Sequence, residues 1–295
     1  MRQSEDEGAG PADATRAAEY YDAAWLDGVE LPGTGIVGLM LGDQLHPPMV
    51  DDAGVWGDGA RWVEGARECT RRLARMAGIG PADTVLDVGC GVGGAVRQVS
   101  AETGCRAAGL NVSALQLRTA ASLGGPAGRV AYLLGDAQRI PARERAFTCA
   151  WTFNMFYHIP DKPRALAEMH RVVAPGGRLA FDDWVLTGDA DEADRAGLRH
   201  HWSSPDWMTD EELLDAIRQA GFELRELQDY TDVGAGVMRR LFPSTYDRDF
   251  APRIRALDAA WGQRMADDFR DAVQHTIDLY ASGRLRYLQL VAERR

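Results

Sequence analysis

The sequence has no excess of basic charge: 33 Lys and Arg residues are outnumbered by 44 Asp and Glu, for a formal net charge of −11. A phosphate backbone or an anionic lipid surface would find no footprint here, so nucleic acid is not an expected partner. No stretch reaches the roughly 20 apolar residues of a spanning helix, and the opening MRQSEDEGAG is too acidic for a secretory leader. We therefore expect a cytoplasmic protein without membrane insertion. The four cysteines, Cys69, Cys90, Cys105 and Cys149, form no Cys-x-x-Cys pair, so neither a metal site nor a disulfide framework is expected. There is no internal repeat, and no low-complexity tract beyond the first residues. What remains, at 295 residues, is enough chain for one α/β unit with additions, handling a small molecule, with homo-oligomerisation left open.

Residues 1 to 14 are polar and glycine-rich and cannot bury enough apolar surface to offset their ordering entropy. From Glu19 to Met40 aromatic and apolar pieces are broken by Pro32 and glycines, which suits a covering segment rather than a core strand. Between Arg61 and Met76, residues Trp62, Ala66, Cys69, Leu73 and Met76 recur at helical steps, so an amphipathic helix is expected, ended by Gly78 and Pro81. From Thr84 onward strand, turn and helix alternate, which predicts βαβ units and a parallel sheet. The strands fall at 85–88, 107–112, 130–136, 146–153 and 178–186. Ser113 and Asp161 are N-caps, and the helix after Asp161 is expected to stop at Pro175-Gly176-Gly177. Thr209 and Glu212 form a capping box, with strands at 222–230 and 285–293 following. Residues 231–283 read as mostly helical.

The stretch TVLDVGCGVGG, residues 84–94, contains Gly89, Gly91 and Gly94 in a G-x-G-x-x-G pattern between a strand and a helix. Such a turn can seat a dinucleotide pyrophosphate on a helix N-terminus, but the pattern alone is weak. Asp87 stands where a dinucleotide site usually has an apolar residue, and Asn111 stands where its ribose-binding acid would be. A carboxylate at the first position suits a ligand that brings an amine or a sulfonium.

Together with GDAQRIP (135–141), FYHIPD (156–161) and EMHRVVAPGGRLAFDDW (168–184), this stretch closely resembles the class I S-adenosylmethionine-dependent methyltransferases. It is most similar to the small-molecule branch that holds sterol, tocopherol and geranyl diphosphate C-methyltransferases, sugar O-methyltransferases and glycine-derivative N-methyltransferases. The resemblance spans roughly residues 81–230 and the last strand. It implies a Rossmann-like, doubly wound, seven-stranded mixed sheet with an antiparallel last strand. Residues 1–80 would then form a tail and helical lid over the cofactor, and residues 81–295 the core, with a helical lid insertion at 231–283. The implied cofactor is S-adenosyl-L-methionine. Gly89 and Gly91 would pass beside its methionine part, with Asp87 orienting the loop and the amino group. Asn111 and Gln116 would face the ribose, Asp136 and Ala137 the adenine, and Asn154, after Phe153, would lie beneath the sulfonium. Tyr21, with Tyr20, would fold over the cofactor, where an aromatic face attracts the sulfonium.

Methyl transfer is an in-line displacement that needs mainly positioning and water exclusion, and a base only when the nucleophile must lose a proton. His158, after the fourth strand, is the first candidate base, although its ring could instead simply cap the loop before Pro160. Asp183 is the second candidate, and a His158–Asp183 pair resembles that of sugar O-methyltransferases. Asp182 and Asp183 alternate faces, so only one of them points at the cleft. C-methylating isoprenoid relatives often carry a glutamate where Asn154 stands, so oxygen is the preferred accepting atom. C-methylation of an isoprenoid or other apolar substrate, N-methylation and a non-methylating cyclisation are the alternatives. His200 and His201 lack the spacing of a metal site, so no metal is expected.

Overall fold

A computed structural model describes residues 59–202, 204–241 and 265–295. The expected tail, the Glu19–Met40 segment and most of the expected N-terminal lid lie outside these residues. The chain runs α1 (Gly59–Met76), β1 (Thr84–Val88), α2 (Gly94–Thr103), β2 (Arg106–Asn111), α3 (Ala114–Ser122), β3 (Val130–Leu134) and β4 (Phe147–Phe153). A 3-10 turn (Phe156–His158) leads into α4 (Lys162–Val172), β5 (Val173–Leu186), α5 (Glu192–Trp202), α6 (Asp210–Gln219) and β6 (Phe222–Asp229). Then come α7 (Thr231–Gly236), a π-helical turn (Val237–Leu241), α8 (Met265–Ala281) and β7 (Leu285–Arg294).

The strands form one seven-stranded sheet in the order β3-β2-β1-β4-β5-β7-β6. β7 runs antiparallel to β5 and β6, and the pairs among β1 to β5 are parallel. This is the expected Rossmann-like architecture. Both faces of the sheet are covered. Leu86, Val88, Leu179 and Phe181 pack with Leu166 and Met169 of α4 and Ile217 of α6. On the opposite face Val85, Trp151 and Ala180 pack with Leu73 of α1 and Val96 and Val99 of α2. Each of the buried Val, Leu, Ile, Phe and Met side chains contributes about 1.5–3 kcal/mol by leaving water. A third cluster, with Trp184, Leu186, Trp207 and Tyr287, joins α5 and α8 to the β5–β7 end of the sheet.

Local chemistry fixes where the helices begin. The Ser113 hydroxyl accepts from the Gln116 amide at 3.0 Å, and the Asp161 carboxylate from the Arg164 amide at 2.9 Å. The capping box is reciprocal: Glu212 N donates to Thr209 Oγ1 at 3.1 Å and Thr209 N to Glu212 Oε2 at 2.7 Å.

One boundary differs from expectation. α4 stops at Val172, not at Pro175-Gly176-Gly177, and Val173 already pairs with Phe147 as the first residue of β5. The Pro-Gly-Gly run is a bulge, after which pairing resumes at Arg178 opposite Cys149. Burying Val173 beside Phe147 outweighs the breaker signal, since both lie in the same core cluster. Gly177 makes the bulge feasible, because a Cβ there would lie 2.7 Å from the Ala174 carbonyl oxygen and 2.8 Å from that of Thr148. Gly177→Ala is therefore expected to destabilise the fold by about 1–3 kcal/mol, read from the shift in urea midpoint at constant slope.

Candidate active site

The sheet order brings the expected site residues to one edge. Asp136 follows β3, Asn111 ends β2, the glycine turn follows β1, Asn154 follows β4, and Asp182 and Asp183 lie in β5. At the usual strand spacing the span from β3 to β4 is about 14 Å. A crevice at the carboxyl ends of parallel strands is where open α/β sheets place ligands.

Gly89 adopts φ +80°, and a Cβ there would fall 2.2 Å from Met155 Cγ, so the turn requires glycine for both backbone shape and space. Its amide and that of Cys90 donate to the Leu110 carbonyl at 2.9 and 3.0 Å, tying the turn to β2. The Cys90 thiol is buried, and burial pushes its pKa well above the usual range, so it is no nucleophile.

Asp87 is 3 % exposed, paired in register with Gly109 on one side and Trp151 on the other. Desolvation pushes its carboxyl up to about 8, with the Trp151 indole as the opposing influence. A buried carboxyl is compensated by a ligand with a cationic head, which favours its charged form.

Asn111 is fully engaged. Its Nδ2 donates to Gln116 Oε1 at 2.7 Å and to the Gly91 carbonyl at 3.2 Å, and its Oδ1 accepts from Ser113 N at 3.1 Å. It therefore braces the glycine turn against the start of α3, with Gln116 buried beside it. Asp136 accepts from the Gln138 amide at 2.8 Å and from Gln138 Nε2 at 3.0 Å, while Ala137 is buried in the core against Leu86 and Val88. Tyr20 and Tyr21 lie outside the described residues.

His158 closes the short turn after β4, its amide donating to the Met155 carbonyl at 2.9 Å and its ring 4.3 Å from that of Tyr157. Asp183 is brought against the same turn, where main-chain amides meet its carboxyl. It accepts from Phe156 N and Trp184 N, each at 2.8 Å. Burial pushes Asp183 up to about 8. Below it lies Lys162, the single lysine of the chain, donating to the carbonyls of Ile159 at 2.9 Å and Asp206 at 2.8 Å. Burial pushes this ammonium down to about 8, and Lys162 and Asp183 share the wall of a water-sized cavity. Asp182 faces the other way, towards β7, where Tyr287 Oη and Gln289 Nε2 both donate to it. The sequence pointed to none of Lys162, Tyr287, Gln289 or Arg72, because each acquires its place from long-range pairing. His200 and His201 sit on the last turn of α5, and among the described residues no group of His, Cys, Asp and Glu is arranged to hold a metal. No helix among them is long and apolar enough to cross a membrane.

A methyltransferase-domain family model matches residues 86–181, the stretch from β1 to β5. The methyltransferase GfsG of Streptomyces halstedii is 29% identical over 223 residues, covering 72% of this chain and 75% of that protein. The O-methyltransferase cnsE of Penicillium expansum is 30% identical, covering 64% of this chain and 69% of that one. Against the sterol 24-C-methyltransferase ERG6B of Gibberella zeae, 29% identical, the match covers 63% of this chain and about half, 51%, of the relative's length. Among solved structures, the geranyl diphosphate C-methyltransferase of Streptomyces coelicolor shares the fold at a TM-score of 0.74, with 18% identity over 98% of this chain and 100% of that one. The [4+2]-cyclase SpnF shares it at 0.72, with 21% identity over 95% and 96%. The chain belongs to the class I S-adenosylmethionine-dependent methyltransferases of small-molecule type, and S-adenosyl-L-methionine is its cofactor. The buried Asp87 fits that cofactor, which carries both an ammonium and a sulfonium.

In the free protein at pH 7 an Asp87 with a pKa of about 8 is mostly protonated. A cation bound beside it lowers the pKa, so binding releases a proton and tightens as pH rises from 6 to 7.5. Calorimetry with S-adenosylmethionine in two buffers of different ionisation heat should show this release. Asp87→Asn should abolish it and weaken binding about tenfold or more.

Proposed function

We propose that this enzyme transfers the methyl group of S-adenosylmethionine to an oxygen of a small, apolar-bodied natural product. The observation that carries the cofactor half of this reading is the buried Asp87 beneath the glycine turn, whose carboxyl is pushed up by burial. Asp87 orients the turn and the cofactor's amino group, beside Gly89 and Gly91. Asn111 and Gln116 face the ribose, Asp136 and Ala137 the adenine, and Asn154 the sulfonium end, with Tyr21 of the N-terminal segment as the cover. When bound, the cofactor supplies a methyl already made electrophilic by the sulfonium. The chain's own contribution is to orient, to exclude water and to take a proton.

His158 is the residue for the proton. It sits on a turn between β4 and α4, at the carboxyl edge, and an imidazole titrates near neutral pH. Asp183 serves it as a positioning residue: by accepting the Phe156 amide it fixes the turn on which His158 stands, while Lys162 holds the far side of that turn through the Ile159 carbonyl.

Oxygen is favoured over carbon by two observations. Asn154, not a carboxylate, follows β4, and an O-methyltransferase stands among the relatives. C-methylation of an isoprenoid or other apolar acceptor is the second reading, favoured by the sterol C-methyltransferase relative. N-methylation and a non-methylating cyclisation remain formal alternatives on the same fold.

The test is incubation of candidate hydroxylated natural products with methyl-labelled S-adenosylmethionine, followed by NMR location of the label. Label on oxygen supports the reading, label on carbon gives the second one, and an altered skeleton without label gives the cyclisation. Absence of S-adenosylmethionine or S-adenosylhomocysteine binding in calorimetry would sink all of them. On an acceptor so identified, His158→Ala should lower turnover by about 10²–10⁴ and leave S-adenosylhomocysteine affinity within about twofold.

A further inference from the structure

β6 ends the sheet: it pairs with β7, and no strand among the described residues lies on its outer side. An edge of this kind offers a row of main-chain groups to another strand. The pairing with β7 runs from Phe222 opposite Arg294 to Leu224 opposite Ala292, skips Arg225, and resumes with Glu226 opposite Val291 and Leu227 opposite Leu290. Arg225 is thus the extra residue of a β-bulge.

The bulge decides which side chains share a face. Leu224 and Leu227 are three apart in sequence, and on a regular strand they would point to opposite faces. Here their partners on β7, Ala292 and Leu290, are two apart, so both leucines lie on the face that α4 and α6 cover. Phe222 on that face is buried, whereas Leu224 is 41 % and Leu227 42 % exposed. Arg225 reaches the other face, where it pairs with Glu223 and Glu293 at 3.2 Å each. Glu226 shares that face, since its partner Val291 is two residues from Glu293.

The strand is then complementary to itself. Its sequence, FELRELQD, can be laid antiparallel on a second copy about a two-fold axis between Arg225 and Glu226. This sets Leu224 opposite Leu227 and Arg225 opposite Glu226, each twice, and Glu223 opposite Gln228. Every one of these pairs joins side chains on the same face, as an axis perpendicular to the sheet requires. Only the bulge makes that true for a centre lying between two residues. Charges on an edge strand ordinarily discourage pairing, but adjacent charges of opposite sign satisfy each other about such an axis.

We propose that β6 is the interface through which two copies of this chain associate, joining their seven-stranded sheets into one about that axis. The occupant of the edge is a second copy because the complementarity is that of the strand with itself, as in an isologous contact. β6 runs parallel to β5, both being antiparallel to β7, so the antiparallel contact places the two carboxyl edges at opposite ends of the joined sheet. Each copy keeps its own cofactor crevice. The inference goes beyond the methyl-transfer reading and holds for any acceptor.

The test follows the full chain by sedimentation velocity at loading concentrations from about 1 to 200 µM, the range suited to a contact of this modest size. A dimer that forms with rising concentration is expected. Leu227→Asp, Arg225→Glu and Glu226→Arg should each weaken it about tenfold or more, with S-adenosylhomocysteine affinity within about twofold of the unchanged chain. In a dimer of Arg225→Glu, glutamate faces glutamate at both central pairs, and in one of Glu226→Arg, arginine faces arginine. An equimolar mixture of the two variants sets glutamate against arginine at both places. The mixture should therefore dimerise within about threefold of the unchanged chain, a rescue that a contact elsewhere on the surface does not give. A chain monomeric across the range overturns the proposal, as does a dimer unmoved by Leu227→Asp and Glu226→Arg. A mixture no tighter than its components, or a ladder of larger species, also overturns it, because the contact is mutual and closes at two copies. Should Arg225→Glu fail to fold, Leu224→Lys mixed with Leu227→Asp carries the same expectation of rescue.

Discussion

Burying a carboxylate is costly unless something compensates it, and this sheet buries three along its carboxyl edge: Asp87, Asp182 and Asp183. Each is compensated differently, and much of the local structure follows. Asp183 is met by main-chain amides, which fixes the turn after β4 against β5. Asp182 is met by side chains of β7, which binds the antiparallel strand to the parallel sheet at its functional end. Asp87 lies beside the Trp151 indole, and burial pushes its carboxyl up to about 8. The chain's single lysine is engaged elsewhere, behind the turn. A cation bound beside Asp87 would favour its charged form.

The position of β7 explains why one edge can do two jobs. Inserted between β5 and β6, it places Gln289 opposite Asp182 and Tyr287 opposite Trp184. Side chains two residues apart on a strand share a face, so Tyr287 and Gln289 reach the same carboxylate. The β1–β3 side of the edge is built from turns and caps. The β4–β5–β7 side is built from a side-chain cluster, and the boundary between them passes through Met155, which packs over Gly89. The first side is shaped by the main chain and suits a constant cofactor. The second is shaped by side chains, which can vary with the acceptor.

The sequence made the first side legible and left the second obscure, for the same reason. Strand, glycine turn, cap and helix are local signals, so β1 to β4, the Ser113 and Asp161 caps and the Thr209–Glu212 capping box could all be read before any folding. The helix α5 carries no serine or threonine signal because its cap is written in aspartates: Asp194 N donates to Asp191 Oδ1 and Asp191 N to Asp194 Oδ2, each at 2.9 Å, in a reciprocal box. The end of α4 is not legible locally, because Pro-Gly-Gly signals a break without saying whether a strand absorbs it as a bulge. Nothing local in RLRYLQLVAE marks Tyr287 or Gln289. They gain meaning only when β7 pairs with β5, more than a hundred residues away in sequence. The direction of Asp182 and Asp183 was half legible: alternation separates them, but it does not say that both will be enclosed.

Asn111 shows what a neutral amide does where a dinucleotide site would have an acid. A carboxylate at that position could accept from Ser113 N but could not donate to the Gly91 carbonyl or to Gln116 Oε1, both of which Asn111 does. The amide therefore exchanges direct charge for rigidity in the glycine turn. It also keeps a second negative charge away from Asp87, whose carboxyl is already pushed up by burial. An acid at both positions would repel across neighbouring strands and drive Asp87 further towards its neutral form, weakening the hold on the cofactor's amine. With asparagine on β2, Asp87 has no acid opposite it at the end of that strand, and in the proposed binding mode the neutral pair Asn111–Gln116 meets the uncharged part of the cofactor.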